Sequence, residues 1–248
     1  MKKKLNGINI SYRFTYNKNK TDVVLLLHGW GGNLNSFRHV EKSLIDDGFS
    51  VITIDFPGFG ASELPPENFT IVDYYKIVNE LLVAEELDKV SVIAHSFGGR
   101  VAILLASLQQ DKVEKLVLVD SAGIKPKFSL KNKLKILNYK VAKKLKEKGL
   151  IKRELINYGS EDYKALPSQM KPVFNNVINT DLTGYLKNIT APTLIVWGKK
   201  DNDTPYYMAK KINKNIKDSA IITFENAGHF CYLDNASEFQ TIVSNFLK

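Results

Sequence analysis

The fold is decided by the stretch Lys89-Val-Ser-Val-Ile-Ala-His-Ser-Phe-Gly-Gly-Arg-Val-Ala-Ile-Leu-Leu-Ala106. It begins with a short apolar run of strand length and ends with apolar residues at helical spacing. So few residues are left for the turn that the backbone at Ser96 must be strained and its neighbours small. Ala94 and Gly98 lie two residues to either side, where that crowding falls. Two interpretations stand: an ordinary strand–loop–helix with a glycine-rich turn, or a nucleophile elbow that lifts the Ser96 hydroxyl above the sheet.

The composition is that of a soluble globular protein. Its 248 residues, 44% hydrophobic and 25% charged, suffice for one domain with an insertion or for two domains. Cys231 is the only cysteine, which excludes an intrachain disulfide and a cysteine-based zinc site. We find no apolar run long enough for a signal peptide or a membrane-spanning helix. We therefore expect a cytoplasmic protein without stable membrane insertion.

The net charge of +9 is concentrated in one segment. Residues 125–153 hold twelve Lys and Arg against the single acid Glu147, which leaves 23 basic and 25 acidic residues elsewhere. A near-neutral remainder argues against a nucleic-acid partner. The lysines form either a solvated face or a surface that attracts anionic substrates or an anionic membrane.

Short apolar runs alternate with amphipathic stretches along most of the chain. Asn6-Gly7 predicts a hairpin turn within residues 2–16. Further strands are predicted at 23–27, 51–54, 90–94, 113–119, 192–197 and 220–224, with helices at about 36–47, 70–87, 206–216 and 238–247. The apolar face expected for the 70–87 helix consists of Val72, Tyr75, Val78, Leu82 and Leu87. This alternation predicts an α/β fold with a mostly parallel central sheet and helices on both faces.

The alternation is interrupted after the sixth strand. Residues 123–189 show no buried-strand pattern but do show amphipathic helical spacing, for example over 131–150. We expect a core formed by residues 1–122 and 190–248, with 123–189 as a helical lid.

The notable polar residues all follow predicted strand ends, where open parallel sheets bind their ligands. They are His28, Asp55, Ser96, Asp120, Asp201 and His229. A serine hydroxyl becomes a useful nucleophile only with a base in hydrogen-bond reach and an acid that orients that base.

The base must come from four histidines. His39 lies within a predicted helix, and His95 points away from Ser96 because neighbours on a strand face opposite sides. His28 is expected to hold its glycine-rich loop by side-chain hydrogen bonds. His229, in a loop after the last strand, is the predicted base.

Three aspartates are candidates for the acid. Asp201 lies in the loop after the second-to-last strand and is favoured. Asp203 is expected to cap the following helix. Asp120 is the main alternative for the acid. The other interpretation of Asp120 is a turn residue at the end of a strand.

The negative oxygen of a tetrahedral intermediate requires preorganised N–H donors. Phe97 N–H, at the start of the elbow helix, is one predicted donor. Trp30 N–H, in the glycine-rich loop after the first buried strand, is the other.

Four motifs now occur in a definite order. They are His28-Gly-Trp-Gly-Gly32, Asp55-Phe-Pro-Gly-Phe-Gly-Ala-Ser62, Gly198-Lys-Lys-Asp201 followed by Pro205, and Gly228-His229. Together with the elbow they resemble the α/β-hydrolase superfamily, in its lid-bearing esterase, lipase and carbon–carbon hydrolase branches. The resemblance extends over the chain outside the lid and strengthens Asp201 as the acid. One departure is Ala94, which stands where the family's elbow has its first glycine and is small enough for that packing.

The resemblance implies a serine hydrolase that cleaves small carboxylic esters, acidic ones included, through an acyl-enzyme intermediate. It implies no metal and no organic cofactor, and the sequence does not specify an oligomeric state. Ser96 would be the nucleophile, His229 the base and Asp201 the acid. The residues expected around the substrate are His28, Gly29, Arg100, Phe128 and Tyr139. The apolar lid residues expected to cover an apolar acyl pocket include Phe128, Leu134, Leu137, Tyr139 and Phe174.

Two other functions stay open. A carbon–carbon hydrolase or a menaquinone-pathway synthase would use the same triad, and Arg100 resembles an arginine of that synthase. The alternative role for Arg100 is at the helix surface, paired with an acid. A ligand-binding protein on this scaffold is disfavoured, because every candidate for the triad is present.

Overall fold

The computed structural model describes residues 1–17, 22–125 and 166–248, together with 138, 141–142, 144–146 and 163. Eight strands are present in these ranges: β1 (Lys2–Leu5), β2 (Ile8–Thr15), β3 (Val23–Leu27), β4 (Ser50–Ile54), β5 (Val90–His95), β6 (Val113–Val119), β7 (Thr193–Gly198) and β8 (Ser219–Phe224).

The strands form one sheet in the order β1-β2-β4-β3-β5-β6-β7-β8. The pairs β1–β2 and β2–β4 are antiparallel, and every other pair is parallel. Asn6 and Gly7 form the β1–β2 turn with φ of 44° and 82°, the left-handed values that this kind of turn requires. The predicted hairpin and the mostly parallel sheet are both confirmed.

The helices of the described residues lie on both faces of the sheet. Their bounds are α1 (Arg38–Asp46), α2 (Ile71–Ala84), α3 (Phe97–Leu108), α4 (Met170–Ile178), α5 (Tyr207–Asn215), α6 (Cys231–Asp234) and α7 (Ala236–Leu247), with 3-10 turns at Gln110–Lys112 and Thr183–Asn188. None of these helices is long and apolar enough to cross a bilayer.

Strand β3 shows how two hydrophobic cores arise from one strand. Leu25 and Leu27 pack with α2, α3 and α5, whereas Val24 and Leu26 pack with α1 and α7 on the other face. Successive strand residues point to opposite faces, so a strand covered on both sides must be apolar throughout.

Helix α2 differs in detail from its prediction. It ends at Ala84 rather than near residue 87, and Val72, expected on its apolar face, is exposed. The buried face includes Ile71, Tyr74 and Val78 instead. The segment has more apolar residues than one helix face can hold, and packing against the sheet selects among them.

The described part of residues 123–189 contains α4 and the second 3-10 turn. Their buried side chains, among them Met170, Val173 and Leu186, share one hydrophobic cluster with α2 and α3. The end of the expected lid therefore packs directly on the core. Most of residues 126–165 lies outside the described residues. Of the helix expected at 131–150, residues 138, 141–142 and 144–146 are described, and they are helical.

Candidate active site

The turn at Ser96 is as sharp as the sequence predicts. Strand β5 ends at His95 and α3 begins at Phe97, so one residue makes the turn. Ser96 has φ 48° and ψ −112°, a conformation that a non-glycine residue adopts only when its surroundings enforce it. Its N–H donates to the Val119 carbonyl at 3.0 Å, and its carbonyl accepts the Ala122 N–H at 2.9 Å. These bonds to the end of β6 hold the strained residue in place.

Two glycines let α3 start this close to the sheet. A Cβ on Gly98 would collide with the carbonyl of Leu27 at the end of β3, and one on Gly99 would collide with the side chain of Ser121 after β6. The first turn of α3 therefore packs closely between the ends of β3 and β6. The close approach predicted at Gly98 is present, and Ala94 on the other side of Ser96 is fully buried.

The structure brings Ser96, His229 and Asp201 together. His229 Nε2 lies 3.0 Å from Ser96 Oγ, and His229 Nδ1 lies 2.8 Å from Asp201 Oδ2. Ser96 and His229 are partly exposed, whereas Asp201 is buried. Each residue follows a different strand, so the fold assembles three side chains that are up to 133 residues apart.

The loop of Asp201 is organised by Asp201 itself. Its Oδ1 accepts the N–H groups of Asp203 at 2.8 Å and Thr204 at 2.9 Å. The hydroxyl of Thr204 lies 2.6 Å from Asp201 Oδ2. The expectation that Asp203 caps the next helix is wrong, because α5 begins at Tyr207 with Tyr206 at its N-cap. Thr204 was not expected at the site, since a Thr before a proline has no distinctive sequence signal.

Charge and burial oppose each other in the Asp201–His229 pair. Burial raises the pKa of Asp201, but hydrogen bonds from His229 and Thr204 outweigh it and leave that pKa below its usual value. Burial lowers the pKa of His229, but the bond and the charge of Asp201 outweigh it and leave that pKa above its usual value. The pair is therefore arranged to carry a negative Asp201 beside a histidine that readily accepts a proton.

His95 packs against the elbow, as expected, but also makes a bond that the sequence did not suggest. Its Nε2 lies 2.7 Å from the carbonyl oxygen of His229. Since a carbonyl only accepts, Nε2 carries the proton. Burial lowers the pKa of His95 to about 3, so the ring is neutral. The alternation of side chains along β5 predicts that His95 faces away from Ser96. It does not predict that the loop of His229, from near the end of the chain, lies over the His95 ring.

His28 holds its loop by side-chain hydrogen bonds, as predicted. Its Nε2 accepts the Phe56 N–H at 3.2 Å, so Nδ1 carries the proton and donates to the Gly29 carbonyl at 2.7 Å. Burial lowers the pKa of His28 to about 4, which preserves the neutral form that this pattern needs. Gly29 passes close to the nucleophile, because a Cβ there would lie 3.4 Å from Ser96 Cβ.

The predicted oxyanion donors are the backbone N–H groups of Trp30 and Phe97. Neither N–H group donates to a protein acceptor within the described residues. Phe97 N–H has no partner in α3 because it belongs to the first helical residue.

The indole of Trp30 meets three aromatic rings edge-on. The centroid distances are 4.9 Å to Phe59, 5.1 Å to Phe97 and 5.0 Å to Phe174. Phe174 belongs to α4, so the expected lid segment contacts the site through this ring. Tyr163, one of the isolated described residues, contacts the same ring at 5.7 Å.

The sequence suggested that Arg100 lies at the helix surface and pairs with an acid. The structure shows a different arrangement. Arg100 is 5% exposed, and its guanidinium donates to the carbonyls of Thr180 at 2.8 Å and Ile178 at 3.4 Å. Ile178 is the last residue of α4 and Thr180 lies two residues beyond it, at the negative end of the helix dipole, which attracts a cation. Arg100 therefore joins the elbow helix to the end of α4. Phe128 and Tyr139, also expected near the substrate, lie outside the described residues.

One group of side chains in the described residues has the spacing of metal ligands. Asp201, Asp203 and His229 offer ligand atoms that all lie within 4.8 Å of one another. His229 Nδ1 and Asp201 Oδ2 already bind each other. A metal ion here would have to replace the bond that orients His229.

Comparison with known proteins agrees with the fold. A family model described as the alpha/beta hydrolase fold matches residues 22–147, about half of the chain. A second model, described as a TAP-like protein, matches residues 172–248.

Individual relatives are distant in sequence. The chain is 26% identical to a proline iminopeptidase from Saccharolobus solfataricus, over 99% of this chain and 91% of that protein. It is 25% identical to a 2-hydroxy-6-oxononadienedioate/2-hydroxy-6-oxononatrienedioate hydrolase from Pseudomonas putida, over 91% and 88%. An esterase structure from Exiguobacterium antarcticum matches with a TM-score of 0.79 at 24% identity, covering 100% of this chain and 98% of that one.

Proposed function

Because this chain belongs to the α/β-hydrolase family, we propose that it is a serine hydrolase that cleaves carboxylic esters through an acyl-enzyme intermediate. The observation that carries the proposal is the continuous contact from Asp201 through His229 to Ser96, at 2.8 and 3.0 Å. These are the distances at which a base can take the proton of a nucleophile.

The geometry supports a two-step reaction. Ser96 Oγ attacks the acyl carbon while its proton passes to His229 Nε2, and the carbonyl oxygen becomes negative. His229 then gives that proton to the departing alcohol, and the acyl group remains on Ser96. Water repeats the attack in the second step: His229 takes the water proton and returns it to Ser96 Oγ as the carboxylic acid leaves.

The negative oxygen of each intermediate would lie between two backbone N–H groups. Trp30 and Phe97 supply these donors, and both N–H groups are free of protein partners in the described residues. Phe97 N–H also lies at the positive end of the α3 dipole. Preorganised donors of this kind stabilise a transition state without any rearrangement during the reaction.

Phe97 and Trp30 also favour apolar acyl groups. Both donors carry aromatic side chains, and Phe59 and Phe174 pack against the indole. An apolar wall beside the reacting carbon excludes water and leaves little to bind a polar acyl chain.

A fluorophosphonate probe and a panel of nitrophenyl esters test the proposal. The probe should label Ser96, detected as an adduct by intact-mass and peptide analysis. Ser96→Ala should abolish the adduct and reduce ester turnover on the order of 10⁶-fold, the size of such losses in serine hydrolases. If the wild-type protein turns over esters without forming an adduct, or if Ser96→Ala keeps its turnover, the proposal is wrong.

A second candidate reaction is the hydrolysis of a carbon–carbon bond in an acidic diketone. It is favoured by the Pseudomonas putida relative and by the excess of lysines at 125–153. Arg100, which could have bound an acidic substrate, is instead engaged by the carbonyls at the end of α4. Faster loss of a chromophoric diketone acid than of nitrophenyl esters would favour this reaction over ester cleavage.

A further inference from the structure

Asp120, directly after β6, is a buried acid that the proposed mechanism leaves without a role. It is 0% exposed and has φ 41°. Aspartate tolerates this left-handed conformation better than most residues, but it still requires support from its surroundings. The support comes from the two loops that carry Asp201 and His229.

Each carboxylate oxygen of Asp120 accepts a backbone N–H from a different loop. Oδ1 accepts the Gly198 N–H at 2.8 Å, and Oδ2 accepts the Cys231 N–H at 3.1 Å. Gly198 ends β7 three residues before Asp201, and Cys231 begins α6 two residues after His229. The backbone carbonyl of Asp120 also lies 2.9 Å from the Thr204 hydroxyl. One buried residue thus joins both ends of the acid loop to the histidine loop.

The two loops also touch each other where Asp120 holds them. A Cβ on Gly198 would collide with the carbonyl of Gly228, so the histidine loop lies directly over the end of β7. Small shifts of either loop would therefore change the distance between Asp201 and His229.

The charge of Asp120 acts on the same pair. Burial raises its pKa to about 7, although bonds from Cys231 and Gly198 oppose the rise. The titratable groups that face it are Asp201, His229, the Cys231 thiol and the Tyr232 hydroxyl. Burial lowers the pKa of His229, and the negative charges of Asp201, Asp203 and Asp120 raise it. The other titratable group against its ring is the neutral His95.

We propose that Asp120 is a positioning residue that clamps the acid loop to the histidine loop and adds a fully buried negative charge behind His229. The inference rests on the proposed role of the Ser96, His229 and Asp201 triad. Asp120 touches no reacting atom and acts through the two loops.

Replacing Asp120 by Asn tests the clamp and the charge together. The amide keeps the shape but loses the charge, and its NH₂ group would face an N–H donor. We expect kcat to fall about 10–100-fold with little change in KM, as for a small misplacement of catalytic groups. The acidic limb of the kcat profile should move to lower pH, because His229 loses a negative neighbour.

Asp55→Asn is the matched control. Asp55 is also buried, directly follows strand β4, and accepts two backbone N–H groups, from Leu34 at 2.7 Å and Ala61 at 2.9 Å. Both variants should lose stability in urea. Only Asp120→Asn should lower the pKa of His229, measured from the NMR titration of its ring signals and assigned with a His229→Asn variant. An equal pKa of His229 in wild type and Asp120→Asn, or an equal fall in Asp55→Asn, would overturn the proposal.

A measurement on the wild-type protein covers the case in which Asp120→Asn does not fold. The amide protons of Gly198 and Cys231 should exchange with solvent slowly, because both donate to the buried carboxylate of Asp120. Exchange of both protons at the rate of an unbonded, exposed amide would show that the clamp does not form, and the inference would fail. These NMR measurements do not depend on ester turnover, so they test the role of Asp120 on its own. The proposed function is tested separately, and ester hydrolysis that survives in Ser96→Ala would refute it.

Discussion

The imidazole of His95 donates from Nε2 to the backbone carbonyl of His229 at 2.7 Å, across 134 positions of the chain. The residue before the elbow serine thereby holds the backbone of the proposed base. The rings of His95 and His229 also contact each other, with centroids 4.9 Å apart.

Replacing His95 by Phe should separate this hydrogen bond from ring packing. The aromatic ring remains against Phe230 and Tyr232, but the His229 carbonyl loses its donor. We expect a loss of about 1 kcal/mol in unfolding free energy and a lower kcat, measured by urea denaturation and ester turnover. Tyr232→Phe, which keeps the ring beside His95, is the control and should retain activity. A His95→Phe variant with wild-type kcat would show that the bond does not position His229.

The pH dependence of activity should reflect the raised pKa of His229. The base must be neutral to accept the Ser96 proton, so activity is lost as pH falls through that pKa. Burial lowers this pKa, but Asp201 outweighs burial, so the acidic limb of kcat/KM should have its midpoint above the usual histidine value of about 6.5.

Asp201→Asn should change the same profile in a defined direction. Without the carboxylate, burial dominates and the pKa of His229 falls, so the acidic limb moves to lower pH. The kcat should drop by roughly 10⁴-fold, the loss seen when a triad acid becomes an amide. An unchanged midpoint in the residual activity would contradict the assignment of Asp201 as the partner of His229.

Gly98→Ala should destabilise the protein, although alanine normally stabilises a helix by about 1 kcal/mol over glycine. The added Cβ would meet the backbone carbonyl of Leu27, which cannot move without shifting β3. We expect a loss of about 1–3 kcal/mol in urea unfolding. Gly184→Ala is the control, since its Cβ would meet nothing within 4 Å. Equal effects at both positions would argue against a tight elbow.

Arg100→Met should weaken the attachment of α4 without changing preference between substrates. The variant leaves the carbonyls of Ile178 and Thr180 without their donor, at a cost of about 1–3 kcal/mol. Thermal unfolding measures this cost. The ratio of kcat/KM for neutral and acidic esters should stay constant, and a selective loss with acidic esters would instead indicate direct substrate binding.

Phe174→Ala should open the proposed acyl pocket. Removing this ring from the edge of Trp30 should move the preferred nitrophenyl ester toward longer acyl chains. Asn175→Ala, exposed on the same helix, is the control and should keep the wild-type preference. The same chain-length profile in all three proteins would place Phe174 outside the acyl pocket.

Residues with a strong local pattern were predicted well. Asn6-Gly7 requires left-handed backbone, and the continuous apolar run of β3 requires cover on both faces, so both features can be predicted from neighbouring residues. Val72 and Asp203 were placed wrongly because several neighbours satisfy the same local rule. Packing against the sheet chose the buried face of α2, and the helix after Asp203 begins only at Tyr207, too far along the chain for Asp203 to cap it.

The sequence by itself determined the alternation of strands and helices, the sharp turn at Ser96 and the order in which Ser96, Asp201 and His229 follow their strands. Steric limits on a turn and the periodicity of apolar residues depend on residues that are close in sequence, so these features can be predicted without coordinates. The tertiary structure alone decided which distant backbone groups face the buried polar side chains. His95 donates to the carbonyl of His229, Arg100 donates to carbonyls at the end of α4, and Asp120 joins two loops. Buried polar groups are almost always hydrogen-bonded, and their partners are the groups that the fold places beside them.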